Sequence, residues 1–500
     1  MARYIKRIMN SPHISMSLQP LNTTLFPAPR APVSVAMYEI NEIRERIVGV
    51  HQTVPTLDGR KLTYVNFDNA ASTPPLQEVL STVNDFMRWY SSVHRGTGFK
   101  SQVATQAYED ARHIVRDFVG ANQRDHVVIF GKNTSEAINK LSYRLPLQAE
   151  DVVLLSLLEH HSNDLPWRAK CHVDYIGIDA DGRLDENDFD RLLEKYHDRV
   201  KLVAITGASN VTGHVPDIHR IAYKTHKAGA KILVDCAQLA AHRKIFMGEL
   251  GDPGHIDYVA ISAHKMYAPF GVGALIGRRD TFAQGEPEYR GGGTVDFVTL
   301  DIVDWAESPE RDEAGTPNIV GAIALAAAIK FLDDINMDII ERHEAELTAY
   351  ALKKLNTIQG IRIYGDADPA SIANRLGVIP FNLQGMPHFL LAAILSSEWG
   401  IGVRNGCFCA HPYVLQLLRL TEPELKQIRT DMLANERQAM PGMVRVSFGM
   451  YNTKAEVDIL AEALTQIARN QYQGKYLQDQ RTGEYRAVGW QPELGEYFKL

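Results

Sequence analysis

Hydrophobic and polar residues alternate in blocks along the middle of the chain, and the blocks predict helices and strands in turn. From about 105 to 118 the apolar side chains recur on one helical face, and Gly120 is placed to end that helix. The segment 217–228 has the same spacing and is followed by Gly229. Short apolar runs predict buried strands at 151–156, 172–178, 201–206, 231–235, 256–262 and 272–277.

Buried strands that alternate with helices predict a mostly parallel sheet covered on both faces. After Pro317 the pattern changes, because the alanine-rich segment 318–333 predicts a long buried helix that joins two domains. Beyond it the pattern predicts a closing helix and short strands, at 455–468 and at 360–364, 376–383, 400–404 and 443–448. We therefore predict an α/β chain with a large, mostly parallel domain and a smaller α+β C-terminal domain.

The predicted organisation has four parts. They are an N-terminal extension at 1–60, a large cofactor-binding domain at 61–320, a small C-terminal domain at 321–470 and a tail at 471–500. The first forty residues carry basic side chains and scattered prolines but no acidic residue before Glu39. We expect them to form a poorly ordered extension outside the chemistry. The polar and aromatic tail predicts no particular element.

Composition narrows the class of protein. The 500 residues have a formal net charge of -7, with 23% charged and 45% hydrophobic residues, which is ordinary for a globular protein and gives no reason to expect a nucleic-acid partner. We find no apolar run long enough to span a bilayer, so no membrane partner is expected. The four cysteines, Cys171, Cys236, Cys407 and Cys409, are too few for a disulfide framework and favour a reducing compartment, which predicts a cytoplasmic protein.

Polar side chains follow several of the predicted strands. Asp235 ends one strand, Ser262 and Lys265 follow the next, and Asn210 and His160 follow two others. Each has a plain structural explanation, such as a solvated lysine, a capping aspartate or a surface histidine. These explanations do not account for the convergence of all these residues at one edge of the sheet. Ligands of open α/β sheets bind at that edge, where the carboxyl ends of the strands meet.

This set of groups fits pyridoxal phosphate. Its aldehyde needs a lysine amine, which Lys265 provides as a Schiff base, and its pyridinium nitrogen needs a carboxylate, which Asp235 provides. Its phosphate suits a helix N-terminus with hydroxyl groups, here Thr134 and Ser135. The flat imidazole of His160 can stack on the ring. No metal is expected, because a Cys-x-Cys pair without a second pair does not complete a zinc site.

The motifs around these residues resemble a known family. The chain resembles the aminotransferase class V family, and within it the cysteine desulfurases and selenocysteine lyases, from about Asn66 to about Ala468. The resemblance is carried by DNAAST at 68–73, VHRGTG at 93–98, EHHSNDLPW at 159–167, ASNVTG at 208–213, VDCAQ at 234–238, SAHKMYAPFGVGAL at 262–275, GGGT at 291–294 and EAGTPN at 313–318. It implies the pyridoxal-phosphate-dependent transferase fold of type I.

The resemblance also implies roles for the motif residues. Lys265 would hold the cofactor and move the substrate's α-proton, and Asp235 would pair with the pyridine nitrogen. The other cofactor contacts it implies are a bond to the ring hydroxyl from Gln238, ring stacking and proton shuttling by His160, phosphate contacts from Thr134, Ser135, Ser262 and His264, and a contact to cofactor and substrate from Asn210.

Two arginines and a threonine complete the implied site. Arg445 would bind the carboxylate of an amino-acid substrate, a task that suits its planar guanidinium, and Arg404 would lie beside the same substrate. The GGGT segment would bring Thr294 to the cofactor of the neighbouring subunit. The resemblance therefore implies a homodimer whose sites need both chains.

The loop RNGCFC at 404–409 indicates the reaction. Desulfurases of this type carry a nucleophilic cysteine on such a loop, and Cys409 falls at that position. Its thiolate would attack the sulfur of L-cysteine, leaving alanine and a Cys409 persulfide. A cationic neighbour favours the thiolate, and Arg404 is the nearest in sequence. The short loop is typical of desulfurases that depend on a sulfur-acceptor protein.

Departures from the family pattern leave alternatives open. Phe408 stands where many desulfurases have a histidine, and the loop also resembles that of molybdenum cofactor sulfurases. Cys407 is a candidate second sulfur carrier. The alternatives are a selenocysteine lyase, a C–S lyase, aminotransferase or epimerase in which Cys409 is idle or a buried structural cysteine, and a sulfur-relay or scaffold protein with little catalysis. The sequence does not distinguish sulfur from selenium preference and does not identify the acceptor.

Overall fold

The structure is a computed structural model, and it describes residues 40–94, 96–283 and 285–500. Its α-helices are α1 (Ile40–Glu45), α2 (Gln77–Met87), α3 (Phe99–Phe118), α4 (Thr134–Arg144), α5 (Leu165–Arg168), α6 (Glu186–Tyr196), α7 (Ile218–Lys227), α8 (Ile319–Ile335), α9 (Met337–Leu355), α10 (His388–Trp399), α11 (His411–Leu418), α12 (Glu422–Leu433) and α13 (Lys454–Ala468).

The strands alternate with these helices through the first two thirds of the chain. They are β1 (Thr53–Pro55), β2 (Lys61–Thr63), β3 (Val65–Asn66), β4 (His126–Gly131), β5 (Val152–Ser156), β6 (His172–Ile176), β7 (Val200–Thr206), β8 (Lys231–Asp235), β9 (Tyr258–Ser262), β10 (Gly273–Arg278), β11 (Val295–Val298), β12 (Val303–Trp305), β13 (Ile361–Ile363), β14 (Val378–Leu383), β15 (Ile401–Gly402), β16 (Arg404–Gly406), β17 (Met443–Ser447), β18 (Tyr476–Gln478) and β19 (Tyr485–Ala487).

The largest sheet in the described part of the chain has seven strands in the order β4-β10-β9-β8-β7-β5-β6. Strand β10 runs antiparallel to both of its neighbours, and the pairs among β9, β8, β7, β5 and β6 are parallel. The predicted mostly parallel sheet is therefore confirmed, and its strands lie at nearly the predicted residues. The sequence pattern did not predict β4, which forms one edge of the sheet.

The strands of this sheet are continuous apolar runs in the sequence because both faces of the sheet are buried. Every residue of β5 and β9 is buried, as is expected when helices cover a sheet on both sides. The predicted apolar helix is α8, whose alanines allow a close approach to α2 and α3. Asn318 is the N-cap of α8, and its side chain accepts a hydrogen bond from the amide of Gly321.

A second sheet follows α9. It has the order β13-β14-β17-β16, and all its pairs are antiparallel. The strand predicted at 400–404 is interrupted, because β15 pairs in parallel with β3 whereas β16 joins the antiparallel sheet. This break begins the segment that leads to Cys409. The apolar sides of α9, α10 and α13 cover the sheet and form its core with it.

The tail contains the hairpin β18–β19, which packs against α10. Glu398 of α10 is buried and anchors the start of the hairpin. It accepts hydrogen bonds from the amides of Gln473 and Gly474 at 2.8 and 2.9 Å and from the Tyr476 hydroxyl at 2.7 Å. Strands of three residues are too short to show a hydrophobic period, so the sequence pattern did not predict them.

Several sequence expectations remain predictions. The expectation for the first forty residues falls on 1–39, which lie outside the described residues. The described residues of the predicted extension, 40–60, include α1 and β1. The domain boundaries at 320 and 470 also stay predictions, although the two sheets fall on either side of the first. Among the described residues, none of the helices is both long and apolar enough to cross a bilayer.

Candidate active site

The carboxyl ends of three neighbouring strands form the floor of one cavity. Strands β7, β8 and β9 end at Thr206, Asp235 and Ser262, and Thr206 pairs directly with Asp235 in the parallel register. Loops from both sheets close around these ends. The cavity is lined by Ala70, Ala71, Asn133, Thr134, Ser135, His160, Ser162, Thr206, Ala208, Asn210, Asp235, Ala237, Gln238, Ser262, His264, Lys265, Arg404, Phe408, Cys409 and Arg445.

Lys265 places a reactive amine in this cavity. It lies in the short 3-10 turn that follows β9, and its Nζ donates to Oε1 of Gln238 at 3.2 Å. Burial lowers the pKa of Lys265 to about 8, and the positive charge of Arg445 acts in the same direction. The negative charge of Asp235 opposes this shift. A substantial fraction of the amine is therefore neutral near physiological pH, as a nucleophile or base requires.

Asp235 places a buried carboxylate beside this amine. Its Oδ1 accepts from the amide of Ala237 at 2.9 Å, and its other oxygen has no hydrogen-bond partner among the described residues. Burial raises the pKa of Asp235, while the Ala237 amide and the Lys265 charge act to lower it. A carboxylate that faces the cavity can accept a hydrogen bond from a protonated ring nitrogen.

The start of α4 provides an anion cradle. Asn133 caps the helix by accepting from the Glu136 amide at 3.0 Å, and the Thr134 amide faces the Ser262 hydroxyl oxygen at 3.4 Å. The Thr134 hydroxyl is buried and has no hydrogen-bond partner within the described part of the chain. Gly273 of β10 permits the close approach, since a Cβ there would lie 2.6 Å from the Cα of Asn133. An unpaired hydroxyl at a helix N-terminus fits a phosphate group.

Further hydroxyl and imidazole groups flank this cradle. The Ser135 hydroxyl lies 2.5 Å from that of Ser162, and the Ser262 hydroxyl lies 3.1 Å from Nδ1 of His264. All four side chains line the cavity. They add donors around the position that the α4 N-terminus offers to an anion.

His160 presents a neutral imidazole to the cavity. Its Nδ1 accepts from the amide of Ser162 at 3.1 Å, so in the neutral ring the proton is on Nε2. Burial lowers the pKa of His160 to about 3, with a further contribution from the positive charge of Lys265. A ring that stays uncharged at neutral pH is suited to stacking on an aromatic cofactor and to donating from Nε2.

Arg445 adds a buried guanidinium to the cavity lining. It lies in β17, and its Nη1 donates to the carbonyl oxygen of Asn210 at 2.8 Å, while its Nη2 donates to Oδ1 of Asp68 at 3.0 Å. Its Nε has no hydrogen-bond partner among the residues that the structure describes. Arg404 is exposed, and its Nη1 lies 3.8 Å from Oδ2 of the same aspartate. Two arginines thus share one carboxylate at the edge of the cavity.

Cys409 is exposed and lines the cavity from a loop after β16. The side-chain amide of Asn210 donates to the carbonyl oxygen of Phe408 at 2.8 Å and so holds this loop. Cys407 is buried instead, and its thiol donates to the carbonyl oxygen of Pro441 at 3.3 Å. Burial raises the pKa of Cys407 to about 11, which disfavours the thiolate that a sulfur carrier needs.

Thr294 is the one predicted site residue that does not line this cavity. Its side chain is buried, and its hydroxyl donates to the carbonyl oxygen of Gly291 at 2.7 Å. The prediction placed it at the neighbouring subunit's site, so its role stays a prediction.

Sequence reasoning missed residues that shape the site. Asp68 lies in the DNAAST motif but had no assigned role, although it binds both arginines. Ser162 and Thr206 line the cavity, and Glu159 is buried next to them with its Oε1 accepting from the Thr206 amide at 2.8 Å. The only available signal was the presence of Asp68 and Glu159 inside recognisable motifs.

A separate cluster contains metal-ligand side chains. His226, His255 and Asp257 bring ligand atoms within 4.8 Å of one another, and none of the three lines the cavity. The Asp257 carboxylate already accepts from Nη1 of Arg278 at 3.1 Å and from the Ile232 amide at 2.9 Å. The carboxylate thus has a positive partner, as in an internal ion-pair cluster.

Comparisons with known proteins give consistent matches. The family model described as aminotransferase class-V matches residues 65–460. A probable cysteine desulfurase of Halalkalibacterium halodurans is 36% identical over 428 residues, which are 83% of this chain and 96% of that protein. A cysteine desulfurase of Haloferax volcanii is 33% identical over 432 residues, which are 84% of this chain and 94% of that protein.

Solved structures share the fold. The apo structure of the cysteine desulfurase from Thermococcus onnurineus NA1 has a TM-score of 0.71 and 32% identity, covering 81% of this chain and 95% of that chain. A cysteine desulfurase of Escherichia coli has a TM-score of 0.69 and 27% identity, covering 87% of this chain and 100% of that chain. These similarities confirm the predicted fold over most of the chain.

Proposed function

The chain belongs to the aminotransferase class V family, as its motifs predicted, and from this premise we propose that it is a pyridoxal-phosphate-dependent cysteine desulfurase. The products would be L-alanine and sulfur carried on Cys409. One observation carries the proposal. The amine of the half-buried Lys265, the carboxylate of the buried Asp235 and the thiol of the exposed Cys409 line the same cavity.

The cavity has a matching group for each part of the cofactor. Lys265 would bond the aldehyde carbon of the cofactor, and the Asp235 carboxylate would accept a hydrogen bond from its ring nitrogen. The unpaired Thr134 hydroxyl would join Ser135, Ser262 and His264 around the phosphate, with Gln238 at the ring hydroxyl and His160 on the ring face. When bound, pyridoxal phosphate withdraws electrons from the amino acid's α-carbon.

Lys265 would move the proton at the substrate's α-carbon. A pKa of about 8 lets its amine accept a proton and return it at neutral pH with little cost in either direction. His160, neutral and carrying its proton on Nε2, would serve as a second proton carrier at the same cavity.

Arg445 would hold the substrate's carboxylate. Its position in β17 is fixed by the Asn210 carbonyl and by Asp68, which leaves a planar set of donors beside the cavity. Arg404 is exposed at the rim and shares Asp68, so it would add positive charge where the amino acid enters. Asn210 would orient the substrate next to the loop that it already contacts.

Cys409 would then take the substrate's sulfur. Its thiolate attacks that sulfur, a new S–S bond forms, and the bond between sulfur and the substrate's β-carbon breaks while the β-carbon gains a proton. The sum is L-cysteine and the Cys409 thiol giving L-alanine and a Cys409 persulfide, which conserves every atom. The exposure of Cys409 would let an acceptor protein reach the persulfide.

We also propose an assembly and a location for the protein. The chain would act as a homodimer in which Thr294 of each subunit reaches the other's site. A separate acceptor protein would remove the sulfur. All four cysteines are free, which is consistent with the reducing environment of the cytoplasm.

The test is the intact mass of the holoenzyme after addition of L-cysteine, with alanine assayed alongside. We expect the wild type to gain one sulfur atom and release alanine, and Cys409→Ala to do neither. Cys407→Ala is the matched control, and it should still form the persulfide because its thiol is buried and bonded to Pro441. Alanine released by Cys409→Ala at the wild-type rate would overturn the proposal and leave a C–S lyase or another family activity.

A further inference from the structure

The loop that carries Cys409 has a strained backbone. Phe408 and Cys409 have φ angles of 52° and 55°, so two consecutive residues with Cβ atoms adopt the left-handed conformation. This conformation is costly for residues other than glycine and persists only where surrounding contacts enforce it. The loop therefore requires contacts that hold it in place.

His161 makes such contacts at two points of the loop. Its main-chain amide donates to the carbonyl oxygen of Cys409 at 2.8 Å, and its Nε2 accepts from the main-chain amide of His411 at 3.2 Å. The two histidine rings stack with centroids 4.9 Å apart and planes 11° apart. One residue thus holds the main chain on either side of Ala410.

These bonds require a neutral His161. An Nε2 atom that accepts from an amide carries no proton, so the ring proton is on Nδ1. Nδ1 of His411 lies 3.1 Å from the same Nε2 and can donate to it as well. Burial lowers the pKa of both rings, and each therefore stays neutral at physiological pH.

The position of His161 in the chain connects this loop to the cofactor site. It directly follows His160, which lines the cavity, and it opens the 3-10 turn His161–Asn163. A single short segment therefore fixes both the imidazole that faces the cofactor and the main chain that carries the thiol.

We propose that His161, supported by His411, is a positioning residue that holds the strained Cys409 loop so that the thiol meets the substrate's sulfur. The inference deepens the proposed desulfurase function and rests on it. His161 touches neither substrate nor cofactor in this assignment, and it acts through the main chain of the loop at Cys409 and His411. Its loss should slow sulfur transfer and leave substrate binding in place.

The test compares four variants of the holoenzyme, two at His161, one at His411 and one control. His161→Ala removes the Nε2 acceptor, His161→Gln offers an amide oxygen in its place, and His113→Ala removes an exposed histidine of α3 as the matched control. Each is mixed once with L-cysteine. The persulfide on Cys409 is timed by quenched mass spectrometry, the visible absorbance change reports substrate binding, and thermal unfolding reports stability.

We expect His161→Ala to form the persulfide at least about 10-fold more slowly, because small misplacements of a reacting atom have large effects on rate. Its absorbance change should keep the wild-type amplitude and dependence on cysteine concentration. His161→Gln should recover most of the rate, and His113→Ala should match the wild type. His411→Ala keeps its main-chain amide, so we expect a smaller loss than in His161→Ala.

Persulfide formation at the wild-type rate in His161→Ala would overturn the inference. Equal loss of substrate binding, stability and persulfide formation, with no recovery in His161→Gln, would also overturn it, because that pattern indicates a merely structural residue. Failure of the wild type itself to form the persulfide would instead contradict the proposed function, so the two failures are distinguishable.

Discussion

Nη2 of Arg445 donates to Oδ1 of Asp68 at 3.0 Å, and this bond places a carboxylate against the guanidinium that we propose to bind the substrate's carboxylate. Burial lowers the pKa of Arg445, and the negative charge of Asp68 offsets part of this shift. The aspartate therefore keeps a buried cation charged and in place. It also sets the charge balance into which a second carboxylate must bind.

Replacement of Asp68 should separate these two effects. In Asp68→Asn the free energy of unfolding without substrate should fall by about 1–3 kcal/mol, because a buried cation loses its charged acceptor. Bound substrate should stabilise this variant more than the wild type, since its carboxylate replaces the lost one. Denaturant titration with and without L-cysteine checks both, and Asp117→Asn, on the exposed end of α3, is the control.

Replacement of Arg445 should act mainly on substrate affinity. Arg445→Lys keeps the charge but loses the planar pair of donors, so KM for L-cysteine should rise about 10- to 100-fold, as expected for lost charged hydrogen bonds. Cofactor absorbance should remain. An unchanged KM in steady-state kinetics would contradict the substrate-binding role.

The lowered pKa of Lys265 predicts a pH dependence for cofactor attachment. Only the neutral amine attacks the aldehyde, and its fraction rises as pH increases through the pKa of about 8. At pH 7.5 about a quarter of the amines would be neutral, compared with about a thousandth at the ordinary lysine pKa. The rate at which apoprotein takes up pyridoxal phosphate should therefore level off above about pH 8. An increase that continues to pH 10 would contradict the assignment.

Asp235→Asn should shift that profile to lower pH. The negative charge of Asp235 raises the pKa of Lys265, so its removal lowers this pKa further. The variant keeps an acceptor for the Ala237 amide and should fold. Its kcat should fall by about 100-fold or more, because preorganised charge in a buried site contributes strongly to catalysis. Apoprotein uptake across pH and steady-state rates measure the two effects separately.

Glu398 should stabilise the C-terminal hairpin without taking part in the chemistry. Glu398→Gln replaces a charged acceptor of three hydrogen bonds, and the free energy of unfolding should fall by about 1–3 kcal/mol. Urea titration measures the change, and the exposed Glu496→Gln is the control. A loss of persulfide formation larger than the loss of folded protein would show that the hairpin also affects the Cys409 loop.

The position of the site at the carboxyl ends of the strands was predictable from the topology of a parallel sheet. Alternating apolar runs predicted the parallel sheet, and parallel strands bring their carboxyl ends to one edge. Asp235 and Lys265 therefore had to lie near each other if the strand order allowed it. The roles of Arg445, Asn210 and Cys409 came from resemblance, since hydrophobic periodicity carries no information about them.

The hydrogen bonds that hold the site were not predictable from the sequence. Asp68 and Arg445 lie 377 positions apart, and His161 and His411 lie 250 positions apart. A local pattern does not report contacts at that separation. The sequence predicted His160 at the cofactor and gave its neighbour His161 no role, whereas the fold turns His160 toward the cavity and His161 toward the Cys409 loop.

The sequence by itself determined the α/β architecture, the edge of the sheet at which chemistry occurs and the family. These depend on short-range periodicity and on motifs, both of which are written in consecutive residues. Only the tertiary structure decided the protonation of Lys265 and His160, the pairing of Arg445 and the support of the Cys409 loop. Burial and the distances between charges set these properties, and both arise only when distant segments pack together.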